Sequence, residues 1–161
     1  MKCPPHLWTE IPALPGSYAL ILHLARPQTA RVGQLGYFAF PAGTYAYFGS
    51  ARGSGGLRAR VSHHLKSSAT PHWHLDWLRP HCEAVAVVFR LGGESLECSW
   101  AQKILPLPGV GVIAPGFGSR DCRSGCPAHL LYLIAPLEPL WLGEYLGADG
   151  VVIRDESGLR S

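Results

Sequence analysis

Glycine and proline, 19 and 14 of 161 residues, punctuate this chain so often that no long regular element fits between them. Their combined share exceeds the usual ~12%. It predicts short strands and helices joined by many turns, and it excludes a long helical bundle or coiled coil. Charged residues make up only 16% and apolar residues 47%, against about 25% charged in an average soluble protein. Such a chain buries a core, so intrinsic disorder is excluded. The length predicts one domain, stable without disulfides or a structural metal. The best apolar run, Leu130 to Leu142, is broken by Pro136, Glu138 and Pro139, and falls short of the ~20 residues that span a bilayer. The opening Met1-Lys2-Cys3-Pro4-Pro5-His6 lacks the apolar stretch of a secretory signal. The expectation is a cytoplasmic protein with no membrane partner.

Charge is distributed unevenly. Asp and Glu are absent from Ile11 through Leu75, a stretch that carries Arg26, Arg31, Arg52, Arg58, Arg60 and Lys66, so with a net charge of +3 the remainder is three charges negative. A cationic segment of this kind is the footprint of a surface that meets a polyanion, because neutralising phosphates releases counterions. His23, His63, His64, His72 and His74 lie in the same stretch. The cysteines are odd in number, five, so reduced thiols rather than a disulfide framework are expected. Cys122, Cys126 and His129 could supply three ligands to Zn2+, with Cys98 or Cys82 completing a tetrahedron. The spacing is not one of the strong finger patterns, and plain buried or turn cysteines are the favoured reading.

The hydrophobic pattern places the elements. Residues 16 to 24, Gly-Ser-Tyr-Ala-Leu-Ile-Leu-His-Leu, read as a buried strand after the Pro15-Gly16 turn signal. A weaker strand is expected around Ala30 to Leu35. Gly43 to Gly49 is rich in β-preferring aromatics, with Tyr45 and Tyr47 on one face and Ala46 and Phe48 on the other. Leu57, Val61 and Leu65 recur at helical spacing, and Arg60 and His64, one turn apart, share a face that can look at the tyrosine strand. A short helix is expected from Pro71 to Arg79, a strand from Ala84 to Leu91, and a helix from Glu94 to Ile104 with Leu96, Trp100 and Ile104 inward. Gly109 to Gly118 reads as a loop, Leu130 to Ile134 as a strand, and Glu138 to Leu146 as a last helix. Residues 1–146 form the expected domain, with 147–161 a polar, frayed tail.

Two segments suggest sites. The loop Gly49 to Gly56 sits between a strand and a helix, where backbone amides can hold an anion. It lacks the Gly-Lys-Ser/Thr ending of a nucleotide P-loop, which leaves a DNA phosphate as its candidate ligand. His72-Trp73-His74-Leu75-Asp76 fits the HxHxD part of dinuclear zinc hydrolases. A helix would spread residues 72, 74 and 76 around its axis, and this remains a rival reading.

Gly16-Ser17-Tyr18, Tyr47-Phe48-Gly49, Leu57-x-x-Arg60 and Glu97-x-x-Trp100, taken in order, resemble the GIY-YIG nuclease superfamily. Gly43 to Ala51, Gly55 to Arg60, His72 to Asp76 and Phe117-Gly-Ser-Arg-Asp-Cys122 with His129-Leu130 resemble its Uri or DUF123 branch. The first tripeptide reads Gly-Ser-Tyr rather than Gly-Ile-Tyr. The resemblance covers roughly residues 14 to 134. It implies an α/β domain with a small mixed, largely antiparallel central sheet flanked by helices, and a metal-dependent endonuclease acting in DNA processing or repair. Glu97 would hold a single Mg2+ or Mn2+ through oxygen. Arg60 would stabilise charge on the phosphate. Tyr18 would orient or deprotonate the attacking water with Tyr47 bonded beside it, and His64 is an alternative base. Arg52, Arg58, Lys66 and His74 are the expected DNA contacts, and a partner protein is a candidate for targeting so small a domain. The alternative from another class is a nucleic-acid-binding module without turnover.

Overall fold

Nine consecutive residues, Gly16–Leu24, form the central strand β1, and it is central because almost nothing along it is polar. A computed structural model describes residues 10–66, 70–119 and 122–154 of the chain. Around β1 the chain builds β2 (Gln28–Arg31), β3 (Tyr37–Phe40), β4 (Gly43–Ala51), α1 (Gly56–Leu65), α2 (His74–Leu78), β5 (Glu83–Leu91), α3 (Glu97–Ile104), β6 (Val110–Gly111), β7 (Leu130–Leu133), α4 (Pro139–Leu146) and β8 (Gly150–Ile153). The result is a single α/β domain whose six-stranded sheet has the order β6-β7-β4-β1-β5-β8, with every pairing antiparallel. A separate two-stranded hairpin pairs β2 with β3. No helix among the described residues is long and apolar enough to cross a membrane.

Both faces of the sheet are covered, which explains the near-continuous apolar reading of β1. Tyr18, Leu20, Leu22 and Leu24 join Tyr45 and Tyr47 on one face, beneath Leu57 and Val61 of α1 and Leu75 and Leu78 of α2. Ala19 and Ile21 join Ala46 and Phe48 on the other, beneath Trp100 and Ile104 of α3 and Leu142 and Leu146 of α4. The period of two expected for β4 therefore holds, residue for residue.

Tyr37–Phe40 and Val110–Gly111 form strands that the sequence does not announce, the helix expected from Glu94 begins at Glu97, and three further elements differ from the sequence expectation. The weak strand over Ala30 to Leu35 is interrupted, because Gly33 (φ 49°) and Gly36 (φ 101°) turn the chain through a 3-10 turn closed by Val32 N–H donating to Gly36 O at 2.8 Å. The helix expected at Pro71 starts at His74. The Asp76 carboxylate accepts the N–H groups of His72 (2.7 Å) and Trp73 (2.9 Å), which fixes those residues outside the helix as its cap. The third correction is the frayed tail from Gly147. Gly150–Ile153 instead pairs with Ala86–Phe89 of β5, burying Val152, and Arg154 forms a 2.6 Å ion pair with Glu83. Three consecutive β-branched residues, Val151 to Ile153, carry the strand signal in a stretch otherwise read as polar. Residues 155–161, and the Met1–His6 opening, lie outside the described residues.

Two glycines explain the first motif residues physically. A Cβ at Gly49 would stand 2.6 Å from Cζ of Tyr18, its cross-strand partner, and nearer still to the hydroxyl. At Gly16 a Cβ would stand 2.7 Å from Cδ1 of Leu57 and closer to the Arg90 carbonyl. The glycines thus leave room for the Tyr18 ring and for α1 to lie on the strand. Since overpacking typically costs about 1–3 kcal/mol, Gly49→Ala is expected to lower unfolding stability by that amount. Chemical denaturation of the two proteins side by side measures it.

Candidate active site

The sheet positions a polar cluster at one end, where β1 begins and β4 finishes. Tyr18 projects from β1 and Tyr47 from β4 onto the face beneath α1, with ring centroids 6.4 Å apart. α1 enters from above and supplies Arg60 and His64, the pair expected to share a face. His64 Nε2 lies 2.7 Å from Tyr18 Oη, and the imidazole is buried, 1% exposed. Tyr47 meets the same imidazole edge-on at 5.6 Å and Phe117 at 6.2 Å. It therefore packs beside Tyr18 through its ring.

Arg60 is held from two sides. One guanidinium nitrogen donates to the Ser50 carbonyl at 3.0 Å, and the guanidinium carbon lies 4.6 Å from the centre of the Trp73 ring. Stacking on an aromatic face suits a planar cation and restricts its motion. From this position the Arg60 charge also acts on the Tyr18 hydroxyl and favours its ionised form. Trp73 was not singled out in the sequence for this role. Its place in the His72–Asp76 segment is the only signal, and that segment reads first as a string of metal ligands.

Glu97 arrives from the opposite face of the sheet as the first residue of α3, half-buried, where the two faces meet at the strand ends. Ser95 Oγ donates to its Oε1 at 3.2 Å, Ser95 and Ser50 hydroxyls are 2.8 Å apart, and Ser50 and Ser17 hydroxyls 3.2 Å apart. Ser17 Oγ in turn accepts the Leu96 N–H at 2.9 Å, which ties the start of α3 to β1. Glu94, the other acidic candidate nearby, is exposed. The donors around Glu97 are all hard oxygens. That chemistry fits a Mg2+ or Mn2+ bound through one carboxylate and its own waters.

Burial dominates the electrostatics. It pushes the Tyr18 hydroxyl well above the ordinary tyrosine range, helped by Tyr47 and Glu97 and opposed by Arg60. Burial likewise raises Tyr47, with Glu97 and Asp76 adding and Arg60 opposing. Burial lowers His64 to about 3, against the pull of Asp76 and with the help of His63 and Arg60. The ring is therefore neutral. Its Nδ1 is buried and has no hydrogen-bond partner. A bare lone pair there costs less than an orphaned N–H, so the ring proton sits on Nε2 and is donated to Tyr18 Oη. Tyr18 thus accepts one hydrogen bond, from His64, and burial holds it as the neutral phenol.

Other expected residues fall elsewhere. His74 is a correction: its Nδ1 accepts the Gly118 N–H at 2.7 Å and its ring packs on Phe117 at 5.7 Å, so it braces the loop beneath Tyr47. The HxHxD reading is a second correction. His72 is exposed, His74 is turned to Gly118, and Asp76 accepts two backbone N–H groups and His63 Nε2 at 3.1 Å, so the three side chains do not converge. Burial raises the Asp76 carboxyl, but the Trp73 and His72 N–H groups and His63 outweigh it and hold it below the usual range. The anion cradle before α1 is a third. Pro12 and Leu14 carbonyls already accept the Arg58 and Leu57 N–H groups at 3.1 and 2.9 Å, and Gly53 and Gly55 accept those of Gly56 and Ala59. The helix start has no free donors for a phosphate. Arg52, Arg58 and Lys66 are exposed, but Arg58 Nε reaches back to Ile11 O at 2.9 Å, away from the side that Arg60 takes.

Among protein-family models, residues 17–140 match the one described as Domain of unknown function DUF123. The chain belongs to that family. The matched span contains Tyr18, Tyr47, Arg60, His64 and Glu97, so the whole cluster falls inside the DUF123 domain. Comparison with curated proteins and with solved structures gives no match.

The buried imidazole has a consequence in acid. With a folded pKa of about 3 and an unfolded value near 6.5, the unfolded chain takes up a proton that the folded one refuses. The stability that His64 contributes is complete above about pH 6.5 and falls as pH drops toward 3, with a slope of at most about 1.4 kcal/mol per pH unit for this one proton. Asp76, held low, adds a loss only below the ordinary carboxylate range. The His64 ring resonances are expected to stay unshifted between pH 8 and 5 in an NMR titration, while the denaturation midpoint falls over the lower part of that range.

Proposed function

We propose that this domain is a metal-dependent endonuclease that hydrolyses DNA phosphodiester bonds, as the GIY-YIG resemblance implies. The observation that carries the reading is the convergence of Tyr18, Tyr47, Arg60, His64 and Glu97 at one end of the sheet, from two strands and two helices. Residues 18 and 97 are far apart in sequence, and a chance pattern of short motifs has no reason to assemble them.

Each side chain has a task in the reaction. Once its own proton has been released to solvent, as positive charge from a bound divalent cation and Arg60 would favour, Tyr18 as phenolate takes the proton of the attacking water. Its oxygen accepts from His64 Nε2–H and lies under the influence of the Arg60 charge, and both favour the phenolate once it forms. His64 is thereby the positioning residue of the base rather than the base itself, since a group lowered to about 3 binds a proton poorly at neutral pH. Arg60, permanently charged and held flat against Trp73, faces the charge that develops on the phosphate. Tyr47 and Phe117 wall the site and keep the Tyr18 ring in place. Glu97, with the Ser95 and Ser50 hydroxyls beside it, is the anchor for a hard divalent cation. Such an ion supplies positive charge near the leaving oxygen and near the otherwise costly phenolate. Exposed Arg52 just past β4 and exposed Lys66 just past the C-terminal end of α1 serve as phosphate contacts that add affinity without sequence preference.

The test is cleavage of end-labelled duplex, single-stranded and branched DNA with Mg2+, Mn2+ or EDTA. Cleavage is expected with either metal and not with EDTA. Glu97→Ala should abolish it while sparing binding. Tyr18→Phe, which keeps the ring and its packing, should cost about 10²–10⁴-fold, and Arg60→Ala about 10²–10³-fold. Binding of all these DNAs with no cleavage under any condition, unchanged by Glu97→Ala and weakened by Arg58→Glu, would replace the enzyme by a binding module.

A further inference from the structure

A second cluster lies outside this site. Cys98 on the first turn of α3, Cys122 and Cys126 in the long segment before β7, and His129 immediately ahead of β7 bring one ligand atom each to within 4.8 Å of one another. Three thiols and an imidazole gain little from such proximity by themselves, because S–H is a weak donor and sulfur a weak acceptor. We propose that these four residues bind one structural Zn2+ per chain.

The sulfur-to-imidazole distance fits that ion, and the two sulfurs, closer than tetrahedral zinc sets them, need only move apart by about half an ångström. Tetrahedral zinc with Zn–S near 2.3 Å and Zn–N near 2.0–2.1 Å sets S···S at about 3.8 Å and S···N at about 3.5 Å. Here Cys98 Sγ lies 3.2 Å from Cys122 Sγ and 3.5 Å from His129 Nε2. A disulfide would use two of the four groups and leave the third thiol and the imidazole facing it. The surroundings are those of thiolate ligands. Gln102 Nε2 donates to Cys126 Sγ at 3.6 Å, and Gly125 (φ 78°) makes the tight turn between the two loop cysteines. The other described cysteine, Cys82, is buried in the core on the opposite face of the sheet and is no ligand. Four protein ligands close the tetrahedron and leave no position for water, so the ion is structural and not catalytic.

A structural need is visible as well. Between β6 and β7 the chain runs from Val112 to His129 with no regular strand or α-helix among its described residues, a length at which unsupported loops are uncommon. This segment delivers Phe117 to the core and Gly118 to within contact of Tyr47. Zinc would pin it to α3 and to the start of β7 together.

The proposal is independent of the nuclease reading, and metal content tests it without any activity. The full chain, purified under reducing conditions without chelator, is expected to carry one zinc per chain by elemental analysis. Replacement by Co2+ should give the intense visible bands of a tetrahedral site and sulfur-to-metal charge transfer. Cys82→Ala should keep the metal, Cys126→Ala should lose it, and His129→Cys should keep it with an altered Co2+ spectrum. A folded wild-type chain free of zinc and unable to take up Co2+ would overturn the proposal. So would a Cys98–Cys122 disulfide in the non-reduced mass, or a Co2+ spectrum unchanged by Cys126→Ala.

Discussion

The pairing of β1 with β4 over nine residues is the constraint on which the rest depends. β1 is covered on both faces, so a slip of one residue would exchange its tyrosine-and-leucine face for its alanine-and-isoleucine face and lose both cores. The register is locked at one pair above all, Tyr18 opposite Gly49, where the ring occupies the space that any other residue's Cβ would take. The same pair places the phenol under α1, so that folding and site assembly are one event. Gly16, two residues earlier, lets α1 approach closely enough for His64 to reach the hydroxyl at 2.7 Å.

A phenol, an imidazole and a guanidinium in one desolvated corner are held in opposition. Burial keeps Tyr18 protonated and His64 neutral, and Arg60 works against the first and with the second. The only permanent positive charge of the group is fastened by the Ser50 carbonyl and the Trp73 ring, neither of which neutralises it. Glu97 is the nearby carboxylate that raises both tyrosines. Positive charge brought beside Glu97 would oppose that effect and, like Arg60, favour the phenolate.

The strands β1, β4, β5 and β7 and the helices α1, α3 and α4 are legible in the sequence, because apolar runs and periods of two and of 3.6 are local signals there. The partner pair Arg60 and His64 was legible for the same reason, as residues one helical turn apart on a helix following the tyrosine strand. What was hidden is non-local. The role of Trp73 depends on where a short helix docks. His72 and His74 share a motif but diverge in space, since a cap formed by Asp76 turns the chain between them. The phosphate cradle before α1 was a sound reading of a local pattern, overturned by the carbonyls of Pro12 and Leu14, which a sequence cannot place. β8 was missed because Gly147 to Gly150 looks like an ending, whereas the open edge of β5 recruits the three β-branched residues that follow.

The two proposed cation sites, on adjacent residues of one helix, must stay distinct. Glu97 faces hydroxyls, and Cys98 faces sulfur and imidazole. Soft thiolates select zinc over magnesium, while a lone carboxylate among hydroxyls suits an ion that keeps its waters. The successive positions on α3 point about 100° apart around the helix axis, which turns one ligand to the open end of the sheet and the next to the loop before β7. A closed site at Cys98 would therefore hold the first turn of α3 in addition to the bond by which Leu96 N–H ties it to Ser17 Oγ of β1. Anchoring the helix there fixes the Glu97 backbone, and the carboxylate then needs only its own side-chain rotamers to meet an ion beside Tyr18.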